Sequence, residues 1–427
     1  MPNPPPNIIV RGNPLEACLT AIVLKVQLGN ALNVCLELKP SNSSSYPTSI
    51  QASHCDAHTA SQLQKMGVDL RQLLKSGDAE FALGINHRHI NSTKNVFLPF
   101  GHYGATIHKK PFYLSYLEHV KNLDPPHSIN DYSLAYQLAH ANNMGFSSDQ
   151  SSPLCELEYC YTLKHDAITP TLIAYAQSLG IHALDKKYKH NIDLIILAEG
   201  LGDIDIMHKR TDSTCLKNHI SLQHAESSVT YSIVTGSSEH IHMLNTPSEK
   251  APTYQQSSYG DTKVLHLKNS HLGLFSQAGF ISTHINISTL VANNILINND
   301  TIQIPTIQLE HEQLRIHTAD IFMYSAIAYL FNQATIANPK TTTAIEHALK
   351  LFEDSVQISH VIPPHIKSYW PYFCILVSEQ KAQSLPTPSH PISVPIQYTE
   401  RIKHIFRQTT VQCANYKNFK QHLVGIL

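Results

Sequence analysis

Apolar and polar positions follow two periods along this chain, and the opening stretch shows both. Asn7-Ile8-Ile9-Val10 is a short apolar run of the kind that forms a buried strand. Leu15, Leu19, Ile22, Val23 and Val26 recur at helical spacing, Gly29 stands where a helix stops, and Val34-Cys35-Leu36-Glu37-Leu38 reads as a second buried strand. The chain thus opens strand-helix-strand. Ser41 to Ser53, rich in Ser, Asn and Pro, reads as a loop, and Thr59 to Leu74 as helix. Ala79 to His87 and Asn95 to Gly101 form a hairpin pattern, and a helical insertion follows, clearest at Asp131 to Ala139. Tyr159 to Leu163 reads as a strand, Ile168 to Leu179 as a helix closed by Gly180, and Ile192 to Ala198 as a buried strand, where the first sheet is expected to finish near Asp203.

From Ser221 to Leu309 the pattern turns to strands, with alternation at Val229, Tyr231 and Ile233, at Val264 and Leu267, at Ile285 and Ile287, and at Ile302 and Ile304. Ile316 to Phe331 and Thr343 to Val356 return to helix, the second with Ile345, Ala348, Leu349, Phe352 and Val356 on one face. A Pro-punctuated tail ends in a helix over Tyr398 to Phe406. The expected division is a discontinuous α/β domain over 1–110, 150–210 and 310–356, a helical insertion over 111–149, a β-rich domain over 211–309 and an extension over 357–427.

Composition narrows the function classes. The 427 residues are 42% hydrophobic and 15% charged, as in a folded globular chain, and the net charge of −1 gives no basic field for nucleic acid. No apolar run is long enough to span a membrane. Met1-Pro2-Asn3-Pro4-Pro5-Pro6 lacks the basic and apolar regions of a signal peptide, so the expected location is the cytoplasm. The eight cysteines include no CxxC pair and are expected as thiols.

The turn after the first strand reads Arg11-Gly12-Asn13-Pro14-Leu15-Glu16. A dinucleotide-binding turn has three glycines where Arg11, Asn13 and Glu16 stand here, and an acid after the second strand that holds a ribose, a role open to Glu37. Asn13, Pro14 and Glu16 instead make a capping arrangement for the helix. A carboxylate at Glu16 would face a bound pyrophosphate, and two unit charges ~4 Å apart repel by about 4 kcal/mol at a surface-like dielectric. The segment reads as a nucleotide-binding scaffold without its phosphate cradle, or as a plain βαβ unit that never was one.

Other chemistry-bearing groups are weaker. Ser53-His54-Cys55-Asp56-Ala57-His58 holds three residues able to ligate zinc, but a closed site needs a distant fourth, and Glu239-His240-Ile241-His242 offers two histidines on one strand face. With 28 histidines in the chain, both clusters read as structural, and no metal site is expected. Thr235-Gly236-Ser237-Ser238 lacks the second glycine of a nucleophile elbow, Asp203 reads as a turn or cap residue, and the aromatic residues from Phe322 to Phe331 read as core.

Several stretches in order resemble the flavin-dependent tryptophan halogenase family, within the flavin monooxygenases. Met66-Gly67-Val68-Asp69 resembles the family's Leu-Gly-Ile-Asp, Phe81 to His87 its Phe-Lys-x-Gly-Ile-x-Phe, and Phe97-Leu98-Pro99-Phe100-Gly101 its His-Pro-Phe-Gly. Asp131-Tyr132-Ser133-Leu134 and the Tyr161-to-Ile181 pattern recur there too, and the likeness spans roughly residues 7 to 355. The resemblance implies an α/β fold: an FAD-binding Rossmann-like domain, an inserted β-rich substrate-type domain and a helical C-terminal region. It also implies FAD, and hypohalous acid passed to a lysine beside an indole with a glutamate assisting.

On that resemblance the lysine position holds Ala82, and the assisting glutamate aligns with Thr341 in Asn338-Pro339-Lys340-Thr341-Thr342-Thr343. The second flavin loop corresponds to Ile50 through Cys55, which has no glycine, and the family's paired tryptophans are absent because the single tryptophan is Trp370. No catalytic residue is therefore assigned, and Gly12, Asn13 and Glu37 are the cofactor-binding candidates, with FAD held weakly or lost. The expectation is a pseudoenzyme acting as a binding or partner subunit, as a homodimer or beside an active homologue, and compatible with a small aromatic ligand. The alternative is an active halogenase or monooxygenase of an indole or phenol, with Arg11 on phosphate, Glu37 on ribose and Glu346 as the carboxylate. A third is a metal-binding module built on the histidine clusters.

Overall fold

The computed structural model describes residues 5–38, 52–89, 95–105, 110–119, 127–184, 192–201, 204–205, 219–224, 228–235, 238–245, 256–259, 262–269, 279–298, 301–303, 322, 325–327, 329, 339–363, 366–367, 370–380 and 396–426. The chain divides into two units, residues 1–80, 161–208 and 240–320 forming the first and 81–160, 209–239 and 321–427 the second.

β1 (Asn7–Gly12) is buried at Ile8, Ile9 and Val10, and α1 (Pro14–Leu28) is buried at every position from Leu15 to Leu24 because helices as well as the sheet cover it. Gly29 at φ +59 ends α1, and β2 (Asn33–Leu38) follows. Next come β3 (Ala52–Asp56), α2 (Ala57–Lys65) and α3 (Leu70–Ser76), the helices capped by Asp56 and Asp69, whose carboxylates accept from the N–H groups of Thr59 and Gln72. β4 (Ala79–Ala82) precedes the expected hairpin of β5 (Gly84–His89) and β6 (Asn95–Pro99), and α4 (Phe112–His119) and α5 (Leu134–Ala141) follow. The chain continues through β7 (Asn143–Met144), β8 (Cys160–Lys164), α6 (His165–Ser178), β9 (His182–Ala183), β10 (Leu194–Leu201) and β11 (Ile204–Asp205). β12 (His219–His224), β13 (Ser228–Thr235), β14 (Ser238–Asn245), β15 (Gln256–Tyr259) and β16 (Thr262–Asn269) lead to α7 (Gly279–Asn294) and the hairpin of β17 (Leu296–Asn298) and β18 (Thr301–Gln303). Last come α8 (Pro339–Ser355), α9 (Trp370–Gln380), α10 (Ile396–Gln412), β19 (Ala414–Asn415) and α11 (Tyr416–Ile426).

The first unit is built on the sheet β15-β16-β10-β1-β2-β9. Its five parallel strands lie in the order β9-β2-β1-β10-β16, which in chain order is 3-2-1-4-5, with β15 antiparallel at the edge. This is a doubly wound, Rossmann-like arrangement whose strand order reverses between β1 and β10. Two expectations are corrected here. The sheet does not finish near Asp203, because β16 and β15 join it beyond β10. Ile285 and Ile287 do not alternate on a strand but lie on α7, where Ile281, His284, Ile285, Ser288, Val291 and Ala292 are buried at helical spacing. Two isoleucines two apart fit the strand period, but both are buried on a helix here because α7 is covered on more than one side, and the wider set decides for helix.

The second unit holds strands in the order β13-β12-β5-β6 and the helices α4, α5 and α8 to α11. Phe112, Tyr116, Tyr132, Leu138, Phe352 and Trp370 are among its buried side chains. Ile345, Ala348, Leu349 and Phe352 face the interior from α8 as expected, while Val356 is half-buried. The helix expected over Tyr398 to Phe406 is α10, longer at both ends. The expected loop from 41 to 51, Asp203, Gly236, Ser237 and most of the helix expected at 316–331 lie outside the described residues, although Phe322, Ser325 to Ile327 and Tyr329 are helical.

Candidate functional site

In doubly wound sheets, ligands bind beyond the carboxyl ends of the strands where the order reverses. Here that place is the end of β1, and Gly12 is the one glycine left in its turn. A Cβ on Gly12 would stand 1.8 Å from the carbonyl oxygen of Ala198, its partner on β10. The Asn13 N–H donates to the same oxygen at 3.2 Å. The glycine is required by strand-on-strand approach, with the space beside it already filled by backbone.

Asn13 takes the extended conformation of an N-cap and Pro14 the first helical position, as the sequence implies, but no side chain caps the helix from Asn13. Its side chain bonds the Glu16 carboxyl instead. Glu16 is only 3% exposed. Burial pushes its pKa up to about 7, against the pull of its own backbone N–H and of Asn13. The expected full carboxylate facing a pyrophosphate is therefore corrected: burial opposes ionisation of Glu16 near neutral pH.

Arg11 and Glu37 are paired residues in the β1–β2 register, so both side chains leave the same face of the sheet. The guanidinium grips one carboxylate oxygen twice, Nη2 at 2.6 Å and Nε at 2.8 Å, with each side chain 38% exposed. The structure thus brings together the two residues assigned to phosphate and ribose in the enzyme alternative, and pairs them with each other.

Behind the turn, α7 lies along α1 through a polar seam that the strand reading of Ile285 and Ile287 concealed. His284 Nε2 stands 2.9 Å from the Glu16 carbonyl oxygen and 3.0 Å from Thr20 Oγ1, which meets Ser288 Oγ at 3.0 Å. Burial pulls the His284 pKa down to about 4, so the ring is neutral near neutral pH. Phe280 stacks between His284 and His165, and His165 Nε2 meets Ser53 Oγ at 2.8 Å. Gly279, at φ +83, starts α7 directly over β3, where a Cβ would meet the His54 carbonyl oxygen at 2.1 Å. A polar residue every fourth position on an apolar helix, here His284 and Ser288, was the signal available in the sequence.

The remaining candidates are dispersed. Ala82 closes β4 at 1% exposure, and Gly84 beyond it has no room for a Cβ against the Phe97 ring and the Leu98 carbonyl oxygen. Thr341 is half-buried near the start of α8, and Glu346 is exposed on the same helix. His54 and Cys55 are buried on β3 whereas His58 is exposed on α2 beside Gln62, and among the described residues no three His, Cys, Asp or Glu converge as metal ligands. His240 and His242 lie on β14, whose side chains are outside the described residues. Trp370 is core, stacked on Phe373. Among the described residues no helix is long and apolar enough to cross a membrane.

Residues 8–193 match the family model for tryptophan halogenase. No curated protein matches the sequence. Among solved structures, BrvH, a flavin-dependent halogenase from Brevundimonas sp. BAL3, superposes with a TM-score of 0.67 at 13% identity, covering 98% of this chain and 100% of its own. MibH, a lanthipeptide tryptophan 5-halogenase, gives 0.70 at 12% identity over 100% and 94%. SttH, a tryptophan 6-halogenase from Streptomyces toxytricini, gives 0.67 at 12% over 98% and 100%. At these identities the solved structures speak for the fold, a Rossmann-like α/β fold shared with flavin-dependent halogenases, and over residues 8–193 the sequence itself is similar to the tryptophan halogenase family.

Proposed function

We propose that this chain is a halogenase-like protein without halogenase activity, acting as a binding or partner subunit. The observation that carries the reading is the closed end of β1 and β2. A pyrophosphate at a helix start needs open space and backbone N–H groups. Here Ala198 fills the space beside Gly12, and Arg11 and Glu37 hold each other at 2.6 Å. On this reading the residues at the turn do not fit FAD. Ala82 adds to it, because a methyl group at the family's lysine position neither hydrogen-bonds hypohalous acid nor forms a haloamine. The free, buried thiols of Cys18, Cys35, Cys55 and Cys374, all pushed up by burial, support a reducing compartment such as the cytoplasm.

The test is the visible flavin band of the full-length protein as purified, with FAD measured after denaturation. The expected protein is colourless, and with a flavin reductase and chloride it gives no halogenated product from indoles or phenols. Stoichiometric FAD, or a chlorinated product, would overturn the proposal. A partner role predicts a complex with itself or with an active homologue in sedimentation; a chain that stays monomeric alone and in such mixtures would remove that part.

A further inference from the structure

We propose that the second unit carries a binding site for a small apolar amine, in a cavity of about 250 Å³ between α5, α10 and the turn after β6. The inner wall is apolar. Leu134 and Ala135 face it from the first turn of α5, and Ile402, Ile405 and Phe406 from α10, where spacings of three and four put them on one stripe. Phe100 closes the side nearest β6. At about 30 Å³ per water-sized group, the volume suits a body of roughly eight non-hydrogen atoms.

The mouth has the opposite character. Glu156 and Glu158 both line it, with His102 Nε2 at 3.4 Å from Glu158 Oε1, and no lysine or arginine is among the lining residues. The local backbone builds this arrangement. Gly101 sits at φ +89, and a Cβ there would press on the Glu158 Cβ at 3.0 Å, so glycine lets the turn bring His102 beside Glu158. The N-terminus of α5 does not offset the acid, since Ser133 Oγ already accepts from the Tyr136 N–H at 3.2 Å.

An apolar wall favours a desolvated hydrocarbon body, and two carboxylates at its mouth favour an ammonium and disfavour a carboxylate on the same ligand. The class is therefore an aryl- or branched-alkylamine without an acid group. The site lies wholly within the second unit and does not depend on the turn at Gly12, so its test is separate from that of the proposed function.

The experiment is calorimetric titration of the full-length protein with phenethylamine, phenethyl alcohol and phenylpropionate, which share a ring and differ in charge. The amine is expected to bind about tenfold more tightly than the alcohol, and the anion not at all. Glu156→Gln with Glu158→Gln, both at exposed positions, should weaken the amine several-fold and leave the alcohol unchanged. Ala135→Leu should block both by filling the cavity. If Ala135→Leu fails to fold, the glutamine pair still decides. No binding of the amine to folded protein, equal binding of the anion, or an amine affinity indifferent to the glutamine pair would overturn the proposal.

Discussion

Gly12 and Ala198 approach so closely across the β1–β10 pairing that a Cβ on Gly12 would lie 1.8 Å from the Ala198 carbonyl oxygen. The obstacle is backbone in the middle of a parallel sheet and cannot rotate away. Gly12→Ala should therefore lose at least about 3 kcal/mol of stability, more than ordinary overpacking by a methyl group. Thermal unfolding would show it as a lower midpoint. A variant as stable as the parent would mean that the strands can separate here and that the end of β1 is open to a ligand.

Glu16 gives a pH signature. Its folded pKa of about 7 lies above the unfolded 4.5, so between those values the folded state binds more protons and stability falls as pH rises. His284 has the opposite sign: its folded pKa of about 4 lies below 6.5, so its contribution rises with pH over that window. The two slopes oppose each other where they overlap. Glu16→Gln should remove only the first, so the variant should gain about 3 kcal/mol relative to the parent from pH 4.5 to about 7, with no further change above. A flat difference profile in denaturant unfolding would show that Glu16 is not buried as described.

The Arg11–Glu37 pair is short but more than a third exposed, and exposed ion pairs contribute about 1 kcal/mol or less. Arg11→Ala and Glu37→Ala should each destabilise by no more than that, weaken further in salt, and leave the absorbance spectrum unchanged. A variant that lost colour present in the parent would identify the pair as cofactor contacts.

On the proposed function, Ala82→Lys tests whether one residue separates this chain from halogenase chemistry. A lysine at a site 1% exposed must shed its charge or distort β4, and the variant should lose several kcal/mol of stability. With flavin reductase and chloride it should still give no chlorinated indole, as read by mass spectrometry. A chlorinated product would mean that the rest of the machinery is intact.

The local pattern of the sequence determined β1, α1, β2, the β5–β6 hairpin, α6 and α8, because a strand or helix with one buried face writes its period into neighbouring residues. It determined that position 82 holds an alanine, since identity needs no fold. Tertiary structure alone decided that β16 joins β10, that Ile285 and Ile287 sit on a helix against α1, and that Arg11 reaches Glu37. It also decided that Glu16 is an interior carboxyl whose pKa burial pushes up. Pairing between strands far apart in the chain, and the ionisation of a side chain, depend on what closes over each group, and that is fixed only when distant segments pack.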